Sequence, residues 1–443
     1  MEKNSNMVQT VMLVIFGVGI LFAVLIFAGK VPLPGGSNTQ TGPTGDVVIW
    51  GVLPYGQVAS LFNPIEQANK GLKLQYEEKK PETIQADLVD ALSAGKGPDI
   101  FMMGPGQVAK NIDRLYMIPF TSTPDTTFKN TFADIGTDFL TDKGILAIPM
   151  FMDPMVMYYN KDIFASNFTV NPPTTWDELV NTGILLTQKN DAAAINQSGV
   201  ALGTSNNISY PKDLVALRVL QKGNPIIKFN LGKWESQVLN DNTLSTVMAW
   251  YTDFANPKSD HYTWNPSLPN DRDMFIAGKL GIYFGYPTEL ETIRKKNPNL
   301  NFAVAMIPQE ANAPRKVDYA RVYTLGISKI SKNLSGAVAV AGILTNKDNL
   351  SSLLSGTYYA PARRDMLADK PRDNAELALV YNSAIIAKEF FDPDAAETKR
   401  LITTAIDQVN SGNKIPDVAV QPIGSGLRDL VSKLIPPALP TAQ

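Results

Sequence analysis

The chain has no cysteine, a single histidine and almost no net charge, and each shortage excludes a class of chemistry. Without cysteine there are no disulfides, no thiolate metal ligands, no thiol nucleophile and no lipidated cysteine. One histidine, His261, excludes a clustered-histidine metal centre. Beside Tyr262 and Trp264 it reads as a structural loop side chain. The 40 Lys and Arg residues against 42 Asp and Glu give a formal net charge of −2, which offers no basic field to a nucleic acid. The loop Gly104, Pro105, Gly106 lacks the Lys and Ser/Thr of a phosphate-cradling Walker pattern, so no nucleotide is expected there. No internal repeat is present, and no metal, cofactor or catalytic residue is expected.

What is present begins with size: 443 residues exceed what one hydrophobic core serves, which predicts two lobes. Residues 7–29 carry no charge and are mostly apolar. That length suits a bilayer span of about 20 residues. Ile26, Phe27 and Ala28 do not form a small-x-small cleavage site, so the reading is an uncleaved transmembrane signal anchor. Residues 30–45, rich in Pro, Gly, Thr and Ser, read as a flexible linker reaching about 20 Å.

The body opens as a parallel α/β unit. Residues 46–50 and 100–103 are short apolar strand patterns, and Leu72, Leu74 and Tyr76 alternate with polar neighbours as a half-buried strand does. Between them lie a helix with Val58, Leu61, Phe62 and Ile65 on one face, interrupted at Pro64, and another carrying Ile84, Leu88, Ala91 and Leu92 up to Gly95. Ligands of such sheets collect beyond the carboxyl ends of the strands, which singles out Trp50, Tyr55 and Gln107. Further on, the apolar runs 145–148 and 155–159 flank Asp153 and Pro154 and predict one long bent strand. Thr175 followed by Glu178 predicts a capping box. Trp250, Tyr251 and Phe254 fall at helical spacing and read as core, whereas Tyr210 and Trp264 stand in polar loops and read as ligand candidates.

Ala147, Ile148 and Pro149, the run from Tyr158 to Phe164, and the run from Pro172 to Leu179 together resemble the central signature of the family 1 extracellular solute-binding proteins, the maltose-binding-protein-like receptors of ABC importers. Residues 94–100 and the spacing Phe275, Gly278, Lys279 are similar to the same family. The resemblance implies an α/β, two-lobed, type II periplasmic-binding-protein-like clamshell, which the apolar segment 7–29 read above precedes with one transmembrane helix. It divides the chain into lobe 1 (46–149 and 302–346) and lobe 2 (154–301 and 350–435), hinged near residues 149–154, with 356–363 as a second-lobe cleft loop. It also implies an extracytoplasmic body at the cell membrane, an ABC permease as partner and a small solute as cargo. The candidate ligand-binding residues are Trp50, Tyr55, Gln107, Asp153, Tyr210, Trp264, Tyr286, Tyr323, Tyr358 and Arg363. Flat aromatic faces with carboxylate, amide and guanidinium groups suit a mono- or oligosaccharide. Two alternatives remain at this stage: a glycosidase or lyase working with paired carboxylates, and a clamshell receptor coupled to a sensor.

Overall fold

The apolar stretch expected as one bent strand divides at Met155 into two strands that belong to different sheets. The structure, a computed structural model, describes residues 42–192 and 194–438; the expected span at 7–29 and most of the linker at 30–45 lie outside the described residues. Among the described residues no helix is long and apolar enough to cross a membrane.

The first sheet has seven strands: β1 (Gly45–Gly51), β2 (Leu72–Glu78), β3 (Ile100–Met103), β4 (Ile148–Pro154), β10 (Asp318–Ile327), β11 (Ala360–Pro361) and β12 (Ala387–Lys388). Its order is β11-β4-β10-β3-β1-β2, with β12 paired to β10. The second sheet has five: β5 (Val156–Asn160), β6 (Gln188–Lys189), β7 (Ile195–Val200), β8 (Leu280–Gly285) and β9 (Phe302–Ala305), in the order β9-β5-β8-β7-β6. Residue pattern explains position. β3 is apolar throughout and buried throughout between β1 and β10, while β2 alternates buried and exposed at the sheet's edge. β1 runs parallel to β2 and β3, as the strand and helix alternation predicts.

Helices pack on both sheets. Those used below are α1 (Ile84–Ser93), α2 (Trp176–Leu186), α3 (Pro211–Gln221), α4 (Leu290–Lys296), α5 (Ala375–Ile385) and α6 (Ala395–Asn410). α1 begins later than Pro81, and Gly95 follows it at φ +68°, a conformation glycine adopts without strain. The helix expected across Pro64 forms as two short pieces, Tyr55–Ala59 and Phe62–Ala68. Pro64 falls in the first turn of the second piece, where an amide hydrogen has no helical partner to lose. The capping box on α2 is present as read: Glu178 N donates to Thr175 Oγ1 and Thr175 N donates to Glu178 Oε2.

Among the described residues the chain crosses between the lobes three times: from β4 to β5, from β9 to β10, and between β12 and α6. Two boundaries differ from expectation. Phe302–Ala305, expected in the first lobe, pairs with β5 in the second sheet. β11 and β12, expected in the second lobe, pair with β4 and β10 in the first. An apolar four-residue strand carries no mark of its partner, and the partner strands here lie far away in sequence.

Candidate functional site

The lobes meet where β4 and β10 run out of the first sheet toward the second. Asp153 near the end of β4 is buried, and its Oδ2 accepts a hydrogen bond of 2.6 Å from the hydroxyl of Thr288, an exposed residue of the turn that follows β8. Among the described residues its Oδ1 is buried without a hydrogen-bond partner. On β10, Arg321 lies over the rings of Tyr286 (4.0 Å) and Tyr210 (4.6 Å) and donates to Asp213 Oδ2 at 3.1 Å. Tyr286 donates to the same oxygen at 2.7 Å. Glu289 gathers the hydroxyls of Tyr210 and Tyr283, each at 2.7 Å, together with the backbone amide of Tyr286.

Beside Asp153 stands an aromatic shelf. Phe151 is buried and stacks on Tyr323 with ring centres 4.9 Å apart, and Tyr359 packs against Phe151 at 4.6 Å. Tyr323 and Tyr359 are only half-buried, so part of their surface stays open. Alternation along β10 puts Arg321 and Tyr323 on one face of the strand. At the third crossing Lys212 donates to Asp392 at 2.8 Å. Glu389 and Asp392 line a cavity of about 10 Å³ with Gly104, Gly106 and Val322, room for about one water. A further bridge spans the lobes at the rim: Arg294 of α4 donates to Glu376 of α5 at 2.5 Å and to the Tyr358 hydroxyl at 3.1 Å.

Burial sets the ionisation here. It pushes the Asp153 carboxyl up to about 7; the Thr288 hydroxyl and Arg321 pull it back, and Glu289 opposes them. Burial pushes Glu389 well above the usual carboxylate range, against the pull of Lys212. For Arg321 burial works against the charge, but Tyr286 and Asp213 outweigh it and hold the group above its ordinary value.

The sequence candidates separate into three groups. Asp153, Tyr210, Tyr286 and Tyr323 converge at the seam, and Gln107 lies close by, its Oε1 accepting from the amide of Gly104. Tyr358 is at the rim, while Trp50 and Tyr55 lie at the end of β1, Trp50 covered by Lys79 at 3.7 Å and Tyr55 exposed. Trp264 and Arg363 lie elsewhere. Trp264 is 0% exposed and gives its indole N–H to Asn207, a core side chain despite its polar loop. Arg363 is held by Asp365 and by the carbonyl of Thr345, on the first-lobe loop that follows β11, not on a second-lobe cleft loop. Sequence reasoning missed Arg321, Asp213, Thr288, Glu289, Tyr359 and Phe151. Arg321 left a trace, a lone cation inside the apolar run of β10.

The sequence model of a family described as bacterial extracellular solute-binding protein matches residues 60–378. A binding protein of Brucella abortus (strain 2308) is 24% identical over 370 residues, covering 80% of this chain and 85% of that one. The diacetylchitobiose-binding protein DasA of Streptomyces coelicolor is 25% identical over 364 residues, covering 74% and 79%. Among solved structures, a cyclo/maltodextrin-binding protein in complex with maltotetraose superposes with a TM-score of 0.71 at 17% identity, over 90% of this chain and all of that one. The likeness establishes the two-lobed, periplasmic-binding-protein-like α/β fold.

Proposed function

The chain belongs to the bacterial extracellular solute-binding proteins, and we propose that it captures a carbohydrate, a mono- or oligosaccharide, in the cleft between its lobes and hands it to an ABC importer permease. In this reading residues 7–29 anchor it to the cell membrane with the body outside. One observation carries the choice of cargo: the half-open shelf of Tyr323 and Tyr359, backed by Phe151, stands beside a buried carboxylate oxygen of Asp153 that lacks a donor. An aromatic face receives the C–H face of a sugar ring, and a carboxylate accepts from its hydroxyls. An unpaired buried acceptor costs about 1–3 kcal/mol, which a ligand hydroxyl offsets on binding. The sugar specificity of DasA and of the maltodextrin-binding relative agrees with this reading.

Titration calorimetry of the purified chain against maltose, maltotetraose, mannobiose and diacetylchitobiose, with amino acids as controls, tests the reading. A saturable one-to-one signal for a sugar is expected, and Tyr323→Ala should weaken it at least tenfold while leaving the fold intact. Silence across the sugars with folded protein, or unchanged affinity in Tyr323→Ala, would refute the site.

A further inference from the structure

Helix α3 lies in the second lobe and is buried along nearly its whole length, yet its side chains hold the chain at the points where it leaves that lobe. Gln221 uses its entire amide. Its Oε1 accepts from the Trp176 indole at 2.6 Å, and its Nε2 donates to the carbonyls of Pro308 at 3.0 Å and Val317 at 2.9 Å, the two ends of the second crossing. One turn earlier, Arg218 sits 4.5 Å from the rings of both Trp176 and Trp250 and donates to Glu310 in the middle of that crossing at 2.5 Å. Backbone bonds repeat the attachment: Gln309 N donates to Thr174 O, and Trp176 N to Gln309 O.

The next residue changes sides. Asp318 N donates to Ile386 O at the end of α5, and from Ala320 to Leu325 the strand pairs with β4 in the first sheet. The first crossing switches as abruptly. Pro154 pairs with Ala320 in one sheet, Val156 pairs with Gly285 in the other, and Met155 N donates to Tyr319 O between them. The two switch points therefore lie side by side. At its other end α3 also reaches the first lobe's strands and the third crossing, through Asp213 to Arg321 and Lys212 to Asp392.

We propose that Gln221, backed by Arg218, is a positioning residue for lobe movement: it makes residues 308–317 part of the second lobe and leaves the linkage between Val317 and Asp318, beside Met155, as the bending point. A neutral amide suits the task, because it carries two donors for two carbonyls and an acceptor for the indole, which neither a carboxylate nor a hydrocarbon can supply. Segments with fewer ties open more readily and exchange their amide hydrogens faster.

Hydrogen–deuterium exchange on the full chain without sugar tests the assignment. In Gln221→Met the amides of 308–317 should exchange at least tenfold faster, while those of β7 and of residues 318–327 keep their rates. The absence of cysteine allows a second readout, spin labels at Ser93→Cys and Lys258→Cys on exposed positions of opposite lobes, whose distance distribution should broaden in Gln221→Met. Glu310→Gln, a milder change on the crossing itself, should speed exchange of the same segment about threefold and decides the matter if Gln221→Met does not fold. Unchanged exchange over 308–317 in a folded variant overturns the proposal. So does acceleration spread equally through β7 and β10, the mark of a general loss of stability.

Discussion

Asp153 holds Thr288 of the opposite lobe with one oxygen and leaves the other free, in a setting where burial raises its carboxyl to about 7. The consequence for stability has a definite sign. Between the usual carboxylate value near 4 and about 7, the unfolded chain has released this proton while the folded chain keeps it, so this group's contribution to stability falls as pH rises through that window and levels off above it. A raise of this size corresponds to at most about 4 kcal/mol. Urea unfolding of Asp153→Asn and the unaltered chain at several pH values should show the difference moving in the variant's favour from pH 4 to 8; a constant difference would refute the assignment. Other residues show what a sequence conceals. Arg321 finds Asp213 108 positions away, and the partner of the Trp264 indole lies 57 positions upstream. Their neighbours in sequence announce neither contact, so nothing local marks Arg321, and Trp264 in its polar loop resembles a binding residue.

At the scale of elements, local chemistry was legible. The capping box of α2 needs only Thr175 and Glu178, four residues of chain, and it formed as read. Thr175→Ala should lower stability by about 1 kcal/mol, seen as a reduced urea midpoint with sugar affinity unchanged. β2 likewise declares its buried face by alternation. β4 and β5 declare their strand character but not their division, because the apolar pattern continues across Met155 while the hydrogen-bonding partner changes. Which sheet receives a strand depends on what arrives later in the chain, as β9, β11 and β12 also demonstrate.

For the whole molecule, the two-lobed plan was legible from length and from the signature around the first crossing, and the order of the later segments was not. The proposed anchor belongs at this scale too. Removing residues 1–41 should shift the protein from carbonate-washed membranes to the soluble fraction and reduce uptake of the sugar that calorimetry identifies; retention on washed membranes would sink the anchor. The first sheet carries one more consequence. Its central strand, β10, joins β3 to β4 but is made about 215 residues after β3 ends, since Met103 and Asp318 bracket the interval. At a synthesis rate of about 5–20 residues per second, that is roughly 10–40 s during which the early strands wait for their neighbour. Until β10 is made, one edge of β3 stays unpaired, so the first sheet closes only late in synthesis.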